Sequence, residues 1–255
     1  MTEVLQIGNR KIAASELLSL LGSYQMLPQL LQELIIDEAI TAIECTPEEI
    51  AQAQKQFYAK HQLRSEADIK KWMTYFGLAP HQLNFIVARQ LKIEKFKQLT
   101  WGNKLETYFF QCKTKLDKVI YSLLRTQDMG VTRELFFRIF AKEQSFAELA
   151  REYSQGPEAQ TGGLVGPVEL STLHPSMLQM LSNSQPGKLL PPTQIGEWFV
   201  IVRLEKYLPA QLDEPMRARL LNEFYENWLK EQLQKLMSQE NVEIKVQRVM
   251  GAMGV

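Results

Sequence analysis

Phe146-Ala147-Glu148-Leu149-Ala150-Arg151-Glu152-Tyr153-Ser154, followed by Gly162-Gly163-Leu164-Val165-Gly166, is the stretch whose reading decides the fold. The first part reads as a helix. The glycine pair lets the chain turn tightly into an edge strand, because residues without a Cβ reach backbone conformations closed to the others. Upstream, Val119-Ile120-Tyr121-Ser122-Leu123-Leu124 is a short β-prone run, and a charged helix carrying Phe136, Phe137, Ile139 and Phe140 follows it. Downstream, a short helix is expected to stop at Pro186-Gly187. Trp198-Phe199-Val200-Ile201-Val202 is the clearest strand of the chain, and Pro209 closes the segment.

The flanks have a different texture. Gly156-Pro157, Gly162-Gly163, Gly166-Pro167, Pro186-Gly187 and Pro191-Pro192 crowd into the region just read, whereas the sequence before it has almost no turn dipeptides. That contrast marks a domain boundary. Val4 to Ile7 and Lys11 to Ala13 flank Gly8-Asn9-Arg10, which suggests a short extended element that turns. Leu17, Leu18, Leu20 and Leu21 recur at helical spacing, Pro28 interrupts them, and Leu31, Leu34, Ile35 and Ile36 resume the pattern over residues 30–43. Thr46-Pro47-Glu48-Glu49 combines a capping hydroxyl, a proline in the first turn and an acid three residues after the cap; Ser65-Glu66-Ala67-Asp68 repeats the cap and acid. Pro80 opens a further helix with Leu83, Ile86, Val87, Leu91, Ile93 and Phe96. The helical period returns over residues 213–238, where Met216, Leu220, Leu221, Phe224, Trp228, Leu229 and Leu233 form one broad apolar stripe.

Composition excludes several functions. The 29 basic and 29 acidic residues cancel, so no net field draws the chain to nucleic acid or to an anionic membrane. The most apolar stretch, residues 27–43, is broken by Pro28, Gln29, Gln32, Glu33, Asp37 and Glu38, and a bilayer span needs about 20 mostly apolar residues. Membrane insertion is not expected. Cys45 and Cys112 lack the close spacing of metal ligands, so both read as reduced thiols and no metal site is expected. The opening residues have an acid where a signal peptide needs bases, which points to a cytoplasmic protein.

The order strand, helix, residues 146–154, Gly162 to Gly166, helix, Pro186-Gly187, strand resembles the parvulin (PpiC-type) peptidyl-prolyl cis-trans isomerases over nearly the whole family domain. The flanking helices resemble those of SurA-like foldases, in which helices on both sides of the domain form a peptide-holding module. The resemblance implies an α+β chain: a helical module over 1–115, a parvulin-like domain with an antiparallel sheet over 116–207, and over 208–255 a long helix that packs with the N-terminal module, ending in a short tail. It also implies action on X-Pro bonds of peptide or unfolded-protein clients. A parvulin-derived chaperone that binds extended apolar peptides without catalysis is the alternative. A role beside secretion or peptide-maturation machinery goes with either.

Prolyl isomerisation turns an amide and breaks no covalent bond, so it needs no metal or cofactor. The site must grip the proline ring in apolar surroundings and favour the twisted amide over the planar one. Parvulins generally place a histidine on the first strand, a cysteine or aspartate after the Tyr-Ser pair, an apolar pair on the short helix and a histidine on the last strand. By the resemblance Tyr121 takes the first histidine's place and Gly156 falls at the Cys/Asp position. Phe199, or Trp198 with a one-residue shift, replaces the second histidine. Tyr121 is the catalytic candidate as a hydrogen-bond donor, though a strand tyrosine also serves as cross-strand packing. Leu173 and Met177, four apart and so on one face of the short helix, align with the apolar pair; the same spacing is what a core-facing helix shows. His174, next to Pro175, is either a neighbour of the site or a helix start.

Overall fold

The computed structural model describes residues 3–7 and 9–238. The tail after the last helix lies outside the described residues. The chain divides into two compact units, Met1–Leu105 with Arg217–Val255, and Glu106–Met216.

The first unit begins with an antiparallel hairpin, β1 (Glu3–Ile7) and β2 (Arg10–Ala13), which the short extended element had suggested. Helices follow: α1 (Ala14–Ser23), α2 (Leu27–Ile40), α3 (Pro47–Lys60), α4 (Glu66–Tyr75) and α5 (Pro80–Trp101). Pro28 does not break the second helix; it stands in its first turn, where an amide hydrogen would have no intrahelical partner, and α2 therefore starts at Leu27 rather than near residue 30. Both capping boxes form as the sequence predicts. Thr46 Oγ1 accepts from the Glu49 amide at 3.3 Å while the Glu49 carboxylate accepts from the Thr46 amide at 2.8 Å, and Ser65 and Asp68 do the same for α4.

The unit's core is built by α2, α5 and the returning helix α10 (Glu214–Ser238): Ile36, Ile40 and Ile93 are buried, with Phe96, Tyr225 and Leu229 against them. Trp101 lies among Phe96, Phe224, Tyr225 and Trp228. Lys97 is buried there because its ammonium donates to Glu94 and Asn222 at 2.8 and 2.7 Å and lies over the Tyr225 ring.

The second unit holds the four-stranded sheet. After α6 (Leu105–Leu116), a helix the sequence reading stopped short of, come β3 (Lys118–Thr126), α7 (Met129–Phe140), α8 (Phe146–Tyr153), β4 (Leu164–Glu169), α9 (Pro175–Ser182), β5 (Leu189–Ile195) and β6 (Trp198–Leu208). The strand order is β4-β3-β6-β5 and every pairing is antiparallel. The glycine pair does what its sequence implies: Gly163 has φ +85°, and a Cβ there would lie 2.8 Å from the Leu123 carbonyl oxygen, so β4 closes onto β3 as an edge strand only because that carbon is missing.

Strand parity divides the side chains. On one face α7 and α8 cover a closed core of Leu124, Leu135, Ile139, Phe146, Leu149, Ala150 and Ile201. On the other, α9 covers Val119, Tyr121, Leu190, Val200, Val202 and Leu204 together with Leu170, Met177 and Leu181. The short helix ends at Ser182, before Pro186-Gly187; the amide of Gly187 instead bonds the Leu204 carbonyl at 2.7 Å, so that pair ties the next loop to the sheet rather than stopping the helix.

Candidate functional site

The α9 face of the sheet carries the site. Along β3 alternate residues share a face, so Tyr121 and Arg125 point the same way. Along β6 Trp198, Val200, Val202 and Leu204 belong to that face, while Ile201 belongs to the closed core on the other. Phe199 has the parity of Ile201. Of the two residues proposed for the last strand, Trp198 therefore reaches the site and Phe199 does not.

Tyr121, Met177, Leu173 and Trp198 are brought together in one apolar cluster. Leu173 is not on the helix, however. It has extended backbone (φ −84°, ψ 156°) ahead of α9, because Pro175 sits in the first helical turn and His174 is the cap, its Nδ1 accepting from the Ser176 amide at 3.2 Å. That capping role settles His174 as a helix start. Met177 and Leu181 are buried, whereas Leu173, Met180, Ile195 and Trp198 are only partly so. The partly covered residues are the ones a ligand can touch.

The Tyr121 side chain is 5% exposed, and its hydroxyl makes no hydrogen bond among the described residues. Burial pushes the phenol above its usual range and the nearby Glu158 carboxylate adds to this, with Arg125 acting the other way. It stays a proton donor.

Next to it lies a polar network built on Arg125, Glu158 and Ser154. Arg125 binds Glu158 at two points, Nε to Oε1 at 2.9 Å and Nη2 to Oε2 at 2.6 Å. Ser154, the serine of the Tyr-Ser pair, donates to Glu158 Oε1 at 2.6 Å and accepts from the Arg125 amide at 3.1 Å. The Glu158 side chain is 3% exposed. Burial alone would raise its carboxyl, but the bonds from Arg125, Ser154 and its own amide outweigh burial and hold it below the usual range. The guanidinium lies over the Trp198 ring, 5.8 Å from its centroid.

Gly156 explains how the network fits. A Cβ at this position would stand 2.2 Å from Arg125 Nε and 2.3 Å from Glu158 Oε2. The volume that a longer side chain would need after the Tyr-Ser pair is filled by the ion pair.

Residues 132–206 match the family model described as a PPIC-type PPIASE (rotamase) domain. That stretch is similar to PpiC-type domains. The match begins inside α7, so Gly156, Glu158, Met177 and Trp198 fall within it and Tyr121 and Arg125 precede it. A protein of Azotobacter chroococcum mcd 1 named as the peptidyl-prolyl cis-trans isomerase NifM is 29% identical over 116 residues, 41% of this chain; the match spans 39% of that protein's length. Among solved structures, the peptidylprolyl isomerase PrsA of Bacillus cereus aligns with 100% of this chain and 93% of its own at 17% identity and a TM-score of 0.45. A SurA-like chaperone of Campylobacter jejuni aligns with 100% of this chain and 99% of its own at 15% identity and a TM-score of 0.36.

What the α9 face offers chemically is an apolar surface, the Tyr121 phenol and the fixed Arg125 cation. Among the described residues no group of three or more His, Cys, Asp or Glu is placed to hold a metal ion. Arg125 and Glu158 escaped the sequence reading because they are 33 positions apart and pair only through the fold. A signal was nonetheless present: a glycine followed by Pro157-Glu158 just after the Tyr-Ser pair, and an arginine two strand steps beyond Tyr121 on the same face.

Proposed function

We propose that this protein is a peptidyl-prolyl cis-trans isomerase and foldase of the parvulin class, acting on X-Pro bonds of peptide or unfolded-protein clients. The observation that carries the reading is the α9 face itself, where partly exposed Leu173, Met180 and Trp198 adjoin a tyrosine hydroxyl with no partner among the described residues. Such a face can hold a proline ring against apolar carbon and place one donor beside the turning amide. Differential binding of the twisted amide is all the reaction asks for.

In this reading the helical unit holds the client chain. Support comes from a cleft of 310 Å³ between α3 and α5, lined by Ala53, Phe57, Ile86, Val87 and Leu91 with His61 at its side, and from the exposed aromatics Tyr75, Phe76 and Phe85 in the same unit. Work in the cytoplasm, beside secretion or peptide-maturation machinery, completes the proposal. Two free cysteines accord with a reducing compartment, and fractionation that finds the protein outside it would overturn this part.

The test is NMR exchange spectroscopy on a panel of X-Pro peptides with the full chain. Acceleration of cis-trans exchange is expected, on a background whose uncatalysed exchange takes on the order of tens to hundreds of seconds. Binding of the same peptides without acceleration at high protein concentration would sink the isomerase and leave a peptide-holding chaperone.

A further inference from the structure

We infer that Arg125 is a client-binding residue: its guanidinium, fixed by Glu158 and lying over Trp198, hydrogen-bonds through Nη1 to a client main-chain carbonyl next to the proline, with Glu158 and Ser154 as positioning residues that act through it. The inference deepens the proposed function and rests on that reading of the α9 face.

Arginine presents five N–H donors in a rigid fork. Glu158 takes two, one from Nε and one from Nη2, and Nη1 has no partner among the described residues. The Arg125 side chain is 27% exposed while its carboxylate partner is 3% exposed, so the pair turns its cationic side outward and its anionic side inward. Three constraints hold the fork in place: the two-point bond to Glu158, the ring beneath it, and the absence of a Cβ at Gly156, which would otherwise occupy its position. Glu158 is itself held by Ser154, whose oxygen also receives the Arg125 amide, so the network closes on the residue it orients. A donor held this firmly loses little entropy on binding a ligand.

The physics of the reaction selects which ligand atom it meets. The planar amide carries more charge on its oxygen than the twisted one, so a strong donor on the oxygen of the isomerising bond would favour the ground state. A donor to a neighbouring carbonyl, which does not change its conjugation, grips the chain without that penalty. Arg125 therefore contributes to client affinity more than to the rate of the bound client.

The test uses the full chain and X-Pro tetrapeptides, with dissociation constants and saturated exchange rates from NMR line shapes and thermal unfolding as a folding control. Arg125→Met/Glu158→Gln removes both charges and leaves no buried ion unpaired, a change that is often tolerated in a buried pair. Its dissociation constant is expected to rise about tenfold, since a hydrogen bond from a charged donor contributes at least that factor. Arg125→Lys, which keeps the cation, should recover part of the loss, and in both variants affinity should fall by more than the saturated rate. Unchanged affinity in the folded double variant, or a saturated rate that falls as far as the affinity, overturns the inference. If the wild type binds but does not accelerate exchange while the double variant still loses affinity, the isomerase reading fails and this one stands; a wild type that binds none of the peptides overturns both.

Discussion

The two faces of the four-stranded sheet share the same two central strands, β3 and β6, and have opposite characters. Under α7 and α8, Leu124, Leu149, Ala150 and Ile201 are fully enclosed and the residues that meet them are apolar. Under α9 the buried core is bordered by partly exposed Leu173, Met180 and Trp198, with Tyr121 and the Arg125–Glu158 pair beside them. One face spends its side chains on stability, and the other leaves some of its surface for a ligand. Variants that separate stability from peptide binding test this division.

The largest effect is expected on the closed face. Leu149 has no exposed surface, and Leu149→Ala removes apolar volume from a site enclosed by Leu135, Ile139 and Phe146. A loss of about 3 kcal/mol in urea unfolding is expected, from the usual sum of lost transfer energy and cavity. Peptide affinity of the folded fraction should stay put. A matching fall in affinity would show that the faces are not independent.

The second effect concerns the end of the sheet away from Arg125. Asp117, just before β3, is 4% exposed and accepts from Tyr207 Oη at 2.5 Å, the Ala210 amide at 2.7 Å and Lys113 Nζ at 2.9 Å. Burial would raise its carboxyl, yet those donors outweigh it and hold the group below the usual range, while Tyr207 is pushed up to about 12 by burial and by the same bond. Asp117→Asn should cost about 2 kcal/mol, because a buried acceptor of charged and neutral donors is replaced by a group that cannot serve them all. A depressed folded value means the unfolded chain binds the extra proton, so Asp117 and Glu158 contribute stability that is present above the unfolded carboxylate range, near pH 4, and lost as pH falls through their lower folded values. Asp117→Asn should therefore flatten the acid limb of the stability curve. A limb of unchanged slope would remove Asp117 from the account.

How much of this was legible beforehand follows the same divide. The closed face is local in sequence: the helix over residues 146–153, the glycine pair and the strand through Ile201 each announce themselves through spacing and turn chemistry, and they assemble as read. The open face is not local. Between Trp198 and Phe199 the sequence offers two aromatic residues of equal merit, and only pairing across β3 and β6, with its irregularity between Ile120 and Tyr121, assigns their faces. Leu173 looked helical by its spacing from Met177, but the start of α9 at Pro175 leaves it in extended backbone. The Arg125–Glu158 bond depends on the 3-10 turn Pro157–Thr161 folding under β3, which no periodicity encodes.

The parity assignment gives the next prediction, and the Trp198/Phe199 pair sharpens the comparison directly. Trp198→Ala should weaken X-Pro peptide binding about tenfold, as truncation of an aromatic anchor commonly does. Phe199→Ala, one step along the same strand and facing the α7 and α8 side, should shift affinity by less than about twofold, within the ordinary scatter of a substitution away from the interface. The reverse ranking would mean that the client lies on the other face.

The smallest effect is the most informative about chemistry. Tyr121→Phe removes one oxygen atom from a side chain that is otherwise packed between Val119, Met177 and Val200. Because the hydroxyl makes no hydrogen bond among the described residues, its loss should change unfolding free energy by less than about 0.5 kcal/mol, with no protein partner left unsatisfied. If the phenol donates to the proline nitrogen, whose lone pair leaves conjugation as the amide twists, the saturated exchange rate should fall about threefold in Tyr121→Phe while affinity holds, the pattern of an interaction made mainly in the transition state. The rate should also persist as pH rises past the ordinary tyrosine range, because burial raises the Tyr121 phenol and keeps its proton in place. A rate that falls near pH 10 in the wild type and not in Tyr121→Phe would mean the hydroxyl is solvated like a free tyrosine. An unchanged saturated rate in Tyr121→Phe would leave the open face with binding as its whole contribution.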